Sequence, residues 1–390
     1  MDTPHDPVVD LSLAHLEKWT AQPHETPAPS DPGIPVLAHL VAATGGPEAT
    51  ATAARAVAVW ARTAGRGPGH PGLYDGGLAG TLVGLRLGAR LHPALHRAAD
   101  RLRDHLTGEA VATVWRTADV AFPDYDLITG PAGILLALCA GADPKAPELH
   151  RPAHHLTALC DHADLWRLRT GQYADHPHLS WTQGRVNTGV GHGVAGVVTA
   201  LTAALRYTGD PGAAQALRHA TRWLATRSYV DERGVRTWPG AGLDGPPPAG
   251  ANPRQAWCYG TPGVAWALWD AADALGDREA ADWALTAFGT LAERYDEGFH
   301  LFGDGPADLL GLCHGAAGVL AVADAFDRHA HLPAAAALGS RLTAHLRARL
   351  PEALGTPWPP GLLTGAPGAL SALLTARGAP RDWLPCLGLR

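Results

Sequence analysis

Charge is scarce in this chain. Only 17% of its 390 residues are Asp, Glu, Lys or Arg, where about 25% is usual for a soluble domain. No basic block occurs and the formal net charge is -6, which argues against nucleic-acid binding and leaves a peptide or small-molecule partner. Long apolar runs are missing as well. No stretch reaches the roughly 18 residues of a membrane span. The opening MDTPHDPVVDLSLAHLEKW has acids and prolines where a secretory signal needs a basic start and an apolar run. Cysteine is sparse and odd in number. Cys139, Cys160, Cys258, Cys313 and Cys386 do not read as a disulfide framework and predict a cytoplasmic protein with free or metal-bound thiols. No G-x-x-x-x-G-K-S/T phosphate loop occurs, so no nucleotide site is expected.

Apolar residues are plentiful, at 46%. With a mean hydropathy near zero, at -0.05, they predict a compact body with much buried surface. Length alone suggests two or three domains, but a repeat overrides that expectation. Gly-x-(Ala or Pro)-Gly, each time followed by an apolar stretch, begins at Gly77, Gly130, Gly193, Gly260, Gly315 and Gly365, with spacings of 53, 63, 67, 55 and 50 residues. The stretches that follow, such as TLVGLRLGARL and VLAVADAFDRHA, are rich in Ala and Leu and read as helices. Second helices are predicted between them, at 211–228 and 278–295 for example. In the latter, Ala281, Leu285, Phe288 and Leu291 keep a helical period.

The repeats therefore predict an all-α fold, an (α/α)6 double toroid of six helical hairpins, in one domain spanning 1–390. The glycines are expected at the crowded starts of the inner helices, as packing devices. Two stretches break the pattern, 161–190 and 229–256, and are expected to be non-helical walls over a site or ordinary long connections.

Chemistry gathers just before the repeat glycines. The preceding residues are Gly76, Thr129, His192, Tyr259, His314 and Thr364, and one further back stand Asp75, Ile128, Gly191, Cys258, Cys313 and Leu363. In a closed ring these positions meet at one end. Cys258 and Cys313 are then equivalent residues of adjacent repeats, and His314 lies beside Cys313. Two thiolates and an imidazole form a zinc set with a fourth position open. Cys139, Cys160 and Cys386 hold no equivalent position and are expected to be small apolar core residues.

The segments AWCYGTPG (256–263), LCHGAAG (312–318) and NTGVGHGVAG (187–196) resemble the signature motifs of the lanthionine synthetase C-like family. YDLITGPAG (125–133) and LYDGGLAG (73–80) resemble its earlier repeats. The resemblance spans about 70–375. It implies a toroid of inner and outer helices, Zn2+ on Cys258, Cys313 and His314, and a catalytic set of His192, Arg254, Asp126 and Tyr259. The implied activity is lanthipeptide cyclisation, in which a peptide Cys thiol adds to a dehydroalanine or dehydrobutyrine. His192 is then the general acid and Arg254 the partner of the enolate. Asp126 orients either a histidine or the arginine. The other reading of Arg254 and Asp126 is an ion pair bracing the rim. Thr364 departs from the family, many members of which carry an acid there. The implied partners are a dehydrated precursor peptide and a separate dehydratase, in a complex that can be membrane-associated without a membrane segment of this chain. The alternative activity is a family member that binds glutathione or adds it to an acceptor. A prenyltransferase-like zinc enzyme and a glycosidase with Asp75 and Asp126 as its two carboxylates fit less well, the latter because it leaves the cysteines unexplained.

Overall fold

The computed structural model describes residues 6–22, 31–64, 69–240 and 254–390. Sixteen helices follow one another among the described residues: α1 (Pro7–Ala21), α2 (Gly33–Thr44), α3 (Pro47–Thr63), α4 (Leu78–Gly88), α5 (His96–Ala112), α6 (Pro131–Cys139), α7 (Ala146–Leu159), α8 (Val194–Thr208), α9 (Pro211–Thr226), α10 (Thr261–Leu275), α11 (Arg278–Arg294), α12 (Glu297–His300), α13 (Pro306–Leu309), α14 (Ala316–Ala330), α15 (Pro333–Ala353) and α16 (Ala366–Ala376).

Burial separates these helices into two layers. In α10 every residue from Thr261 to Ala272 is buried, as expected of a helix surrounded by protein. Its partner α11 buries only one stripe, Ala284, Ala287, Phe288, Leu291 and Ala292. The same contrast holds between α8, buried from Val194 to Thr202, and α9, where Ala213, Ala216, Leu217, Ala220, Trp223 and Leu224 face inward. Asp210 and Asp277 fix the starts of the outer helices by accepting from their first free amides, the usual N-cap arrangement.

The six glycine-led helices α4, α6, α8, α10, α14 and α16 are all inner helices, each packed on the next. The first glycine of every repeat is the N-cap. A Cβ on any of the second glycines, from Gly80 to Gly368, would overlap the carbonyl oxygen of a residue six or seven earlier. The repeat is thus the packing device expected. A further inner helix, α2, sits between α16 and α4 and closes the ring. Among the described residues the toroid has seven inner helices, one more than the glycine repeats announce. Pro32-Gly33 opens α2 in place of the repeat, and only Gly33 meets the same crowding, against Pro360 and Gly361. The outer helix α1 lies across α16, α2 and α3, so the first helix of the chain covers the last inner one.

Backbone hydrogen bonds tie the segments before the inner helices into a rim. Leu73 N donates to Ile128 O (3.0 Å), Leu127 N to Gly191 O (3.1 Å), Val190 N to Cys258 O (2.8 Å), Cys258 N to Cys313 O (3.4 Å) and Cys313 N to Leu363 O (2.9 Å). Asp31 completes the circle, its Oδ1 accepting from Gly33 N (2.8 Å) and Leu362 N (2.7 Å). At the other end, residues 384–390 enter the bore. Tyr74 Oη donates to Cys386 O (2.7 Å), Trp257 Nε1 to Leu387 O (2.8 Å) and Trp266 Nε1 to Gly388 O (2.9 Å).

The segment 161–190 is non-helical apart from single turns at Trp166–Leu168 and Ser180–Thr182. In the second irregular stretch, β1 (Tyr229–Val230) pairs antiparallel with β2 (Arg236–Thr237), and 241–253 lies outside the described residues. The Thr188 hydroxyl donates to the Pro239 carbonyl and joins the two stretches.

Candidate metal centre and active site

The rim carries the chemistry. Cys258 and Cys313 stand just before α10 and α14, in adjacent segments bonded to each other. Their Sγ atoms and a ring nitrogen of His314 all lie within 4.8 Å of one another. Metal–sulfur and metal–nitrogen bonds of about 2.3 and 2.0–2.1 Å place tetrahedral donors roughly 3.3–3.8 Å apart, so this set fits a metal ion with little movement. His314 Nδ1 bonds Asp308 Oδ1 at 3.0 Å, which leaves Nε2 for ligation and supplies the carboxylate that orients metal-binding histidines.

The electrostatics favour anionic sulfur. Hydrogen bonding from the Cys258 thiol holds Cys313 well below the usual thiol range, against burial and with help from His314. Burial pushes Cys258 up, and its bond to Cys313 adds to this. The hydrogen bond to Cys313 raises His314, with Asp308 assisting against burial. The inner helices also turn their N-termini to this end, and their partial positive charge favours an anion.

Across the rim, His192 Nδ1 bonds Asp126 Oδ2 at 2.6 Å. Asp126 is fully buried. Its Oδ1 accepts from Thr129 N and Gly130 N, both at 2.8 Å, and from Thr129 Oγ1 at 3.2 Å. The start of α6 therefore holds the carboxylate, and the carboxylate holds the imidazole. Phe122 stacks on the His192 ring at 4.5 Å, and Tyr125 Oη donates to the His192 carbonyl at 2.9 Å. Burial opposes a charge on His192, but the bond to Asp126 and its charge outweigh burial and raise the imidazole above its ordinary value. The charges of Cys313 and Asp75 act in the same direction.

Tyr259 Oη accepts from Asn187 Nδ2 at 2.9 Å, and burial raises the phenol against the lowering effect of that bond, so that it keeps its proton. Arg254 lies over Phe302, 4.2 Å from the ring centroid, with Nη1 4.0 Å from Asp308 Oδ1. That buried Nη1 has no hydrogen-bond partner among the described residues. The two alternatives left open for Asp126 are thereby separated. Asp126 holds the histidine, and the carboxylate near Arg254 is Asp308. No ion pair between Arg254 and Asp126 braces the rim among the described residues.

Asp308 was not among the residues singled out from the sequence. It lies on the four-residue α13, outside the glycine register, and nothing in its neighbours marks it. Asn187 lies within NTGVGHGVAG and had no role of its own, and Phe122, Tyr125 and Phe302 were likewise unmarked. Cys139 and Cys160 are buried, with thiols that burial pushes up to about 12, and Cys386 is in the bore. Thr364 is exposed, and its carbonyl accepts from Trp358 Nε1 at 2.7 Å. No helix among the described residues is long and apolar enough to cross a membrane.

Fold and rim together define a helical toroid with a Cys2His group able to hold a metal at one mouth. The family model of lanthionine synthetase C-like proteins matches residues 34–384, and the chain belongs to that family. Among solved structures it is similar to nisin cyclase, with a TM-score of 0.76 and 19% sequence identity over 97% of this chain and 96% of the other. No curated protein matches it in sequence.

Proposed function

We propose that this chain is a zinc-dependent lanthipeptide cyclase, a single toroidal domain that adds Cys thiols of a dehydrated precursor peptide to dehydroalanine or dehydrobutyrine. The observation that carries the proposal is the convergence of Cys258, Cys313 and His314 with the Asp126–His192 pair at one mouth of a family member. Five cysteines outside any disulfide support action in the reducing cytoplasm.

Zinc held by Cys258, Cys313 and His314 would supply Lewis acidity that favours the thiolate form of a substrate thiol at neutral pH. Free cysteine, with a pKa of about 8.5, is only roughly 3% thiolate at pH 7. The thiolate sulfur bonds to the acceptor β-carbon, and the alkene electron pair moves to the α-carbon and acyl oxygen as an enolate. His192, kept protonated by Asp126, delivers the proton to the α-carbon. Arg254, whose Nη1 has no hydrogen-bond partner among the described residues, would stabilise the enolate oxygen. Tyr259, whose oxygen already accepts from Asn187, keeps its own hydroxyl proton free for substrate. The thiol S–H is added across the double bond, and the peptide mass does not change.

Two partners follow from this chemistry. The acceptor must be made beforehand, because hydroxide is a poor leaving group and an unmodified Ser offers no β-carbon to conjugate addition. A dehydratase, which we propose as a separate partner, must therefore act first. The test incubates the enzyme with the undehydrated peptide, with and without ATP, and with the dehydrated peptide, counting free thiols by alkylation and mass spectrometry. Thiol loss only with the dehydrated peptide is expected. Ring formation from the undehydrated peptide, or reaction of glutathione alone with a dehydrated acceptor, would replace this reading.

A further inference from the structure

Trp181 is the one tryptophan among the exposed large hydrophobic residues described, with 48% of its surface open. Burying such a ring is among the larger gains a side chain offers a partner. Its position is fixed. Trp181 lies in the single turn Ser180–Thr182, and its Nε1 donates to His178 O at 2.9 Å. The supporting loop is held by Gly184 N to Thr170 O (2.7 Å), Thr170 N to Arg185 O (3.0 Å) and Tyr173 N to Gln183 Oε1 (2.8 Å). This indole is exposed without being loose.

It also faces the site. A Cβ on Gly240 would stand 4.0 Å from Trp181 Cη2 and 3.8 Å from Tyr259 Cδ1. The indole edge and the phenol ring thus flank one residue that has no side chain to fill the space between them. Tyr259 adjoins Cys258 in the chain and bonds Asn187. The two rings stand within about two residues of extended chain, at roughly 3.3–3.6 Å per residue.

We infer that Trp181 is a substrate-contacting, specificity-determining residue, an aromatic shelf at the mouth that takes the apolar side chain next to the reacting residue of the peptide. The inference rests on the cyclase reading for the identity of the peptide, but its contact can be measured without turnover. A polar neighbour loses this contact, and so the shelf ranks peptides by the residue flanking the acceptor.

The test uses two fluorescently labelled synthetic peptides, each with one dehydroalanine and with Ser in place of Cys so that nothing reacts. They differ only in Leu or Ser beside the dehydroalanine. Anisotropy titrations are made with the metal-loaded wild type, Trp181→Ala and Trp181→Phe. The wild type is expected to prefer the Leu peptide. Trp181→Ala should weaken Leu-peptide binding by about 3- to 10-fold, the range of one aromatic contact, and leave the Ser peptide within about 2-fold. Trp181→Phe should restore most of the preference, which a purely structural role would not require. With the corresponding Cys peptides, the loss in Trp181→Ala should fall mainly on KM. An unchanged Leu preference in Trp181→Ala, or no wild-type binding of either peptide, overturns the shelf. Loss of the preference in Trp181→Ala alongside no thiol consumption by the wild type would keep the shelf and overturn the cyclase reading.

Discussion

The two ends of the toroid are built from the same inner helices and differ in what their polar groups meet. At the far end the bore is filled. Arg390 pairs with Asp270 (2.8 Å) and Asp273 (2.7 Å), Arg381 pairs with Asp324, and the Arg390 carbonyl accepts from Arg381 Nη2 at 2.7 Å. These arginines lie where helix C-termini favour cations. At the mouth the groups are of another kind. Cys313, His314, His192, Tyr259 and Arg254 are all half-buried, and an arginine nitrogen there has no partner. The polar groups of one end are charge pairs that tie residues 381–390 to the inner helices, and those of the other are thiols and imidazoles able to hold a metal. The difference teaches where to look in such a ring: at the end where thiols and imidazoles gather, not the end where opposite charges pair.

The sharpest way to break this contrast is to remove the metal set. Cys258→Ala/Cys313→Ala should abolish zinc retention, where the wild type should hold one ion per chain by metal analysis after chelator-free preparation. Ring formation should fall by up to about 30-fold from the loss of thiolate population alone. Full zinc retention in the double variant would refute the set. His192→Asn should keep its zinc and lose about 10²-fold or more in thiol consumption, the usual worth of a positioned acid. Arg254→Ala should also keep zinc and lose ordered ring patterns. Wild-type rates and rings in both variants would remove their assigned roles.

The pH profile sharpens the same point. His192 must be protonated to act, and Asp126 raises its pKa above the ordinary imidazole value. Activity limited by this acid should therefore persist above pH 6.5 and decline as pH rises through the raised value. In Asp126→Asn the opposing effect of burial is no longer outweighed, so the alkaline limb should move to lower pH. An unmoved limb would assign the titration to another group.

Much of the mouth was legible in the sequence, and little of the far end. The six glycine repeats marked six inner helices because close packing on a carbonyl leaves no room for Cβ, a demand that only one residue type meets. Repeat equivalence then brought Cys258, Cys313 and His314 together. Helix α2 escaped because Pro32-Gly33 satisfies its crowding by a different local sequence. Asp308 escaped because a residue that only orients a ligand needs no register with the repeat. The pairing of Asp126 with His192 was undecidable, since it depends on which rim segments are neighbours. Nothing local in residues 384–390 says that their carbonyls meet Trp257, Trp266 and Tyr74.

The smallest expected effect tests whether the two ends are independent. Tyr74 touches both: its backbone N donates to Ile128 O in the rim at 3.0 Å, and its hydroxyl to Cys386 O in the bore at 2.7 Å. Tyr74→Phe keeps the ring and the rim bond and deletes only the bore bond. A buried neutral hydrogen bond contributes about 0.5–1.5 kcal/mol net, and somewhat more is lost if Cys386 O stays unsatisfied. The variant should therefore melt a few °C lower at most, retain zinc, and form rings within about 2-fold of the wild-type rate. Tyr74 is buried and its hydroxyl proton is committed to Cys386 O, so it offers no proton to the reaction. A loss of ring formation as large as that of His192→Asn, at unchanged zinc content, would mean that the bore sets the geometry of the mouth. The filled end would then be part of the catalytic apparatus and not only its support.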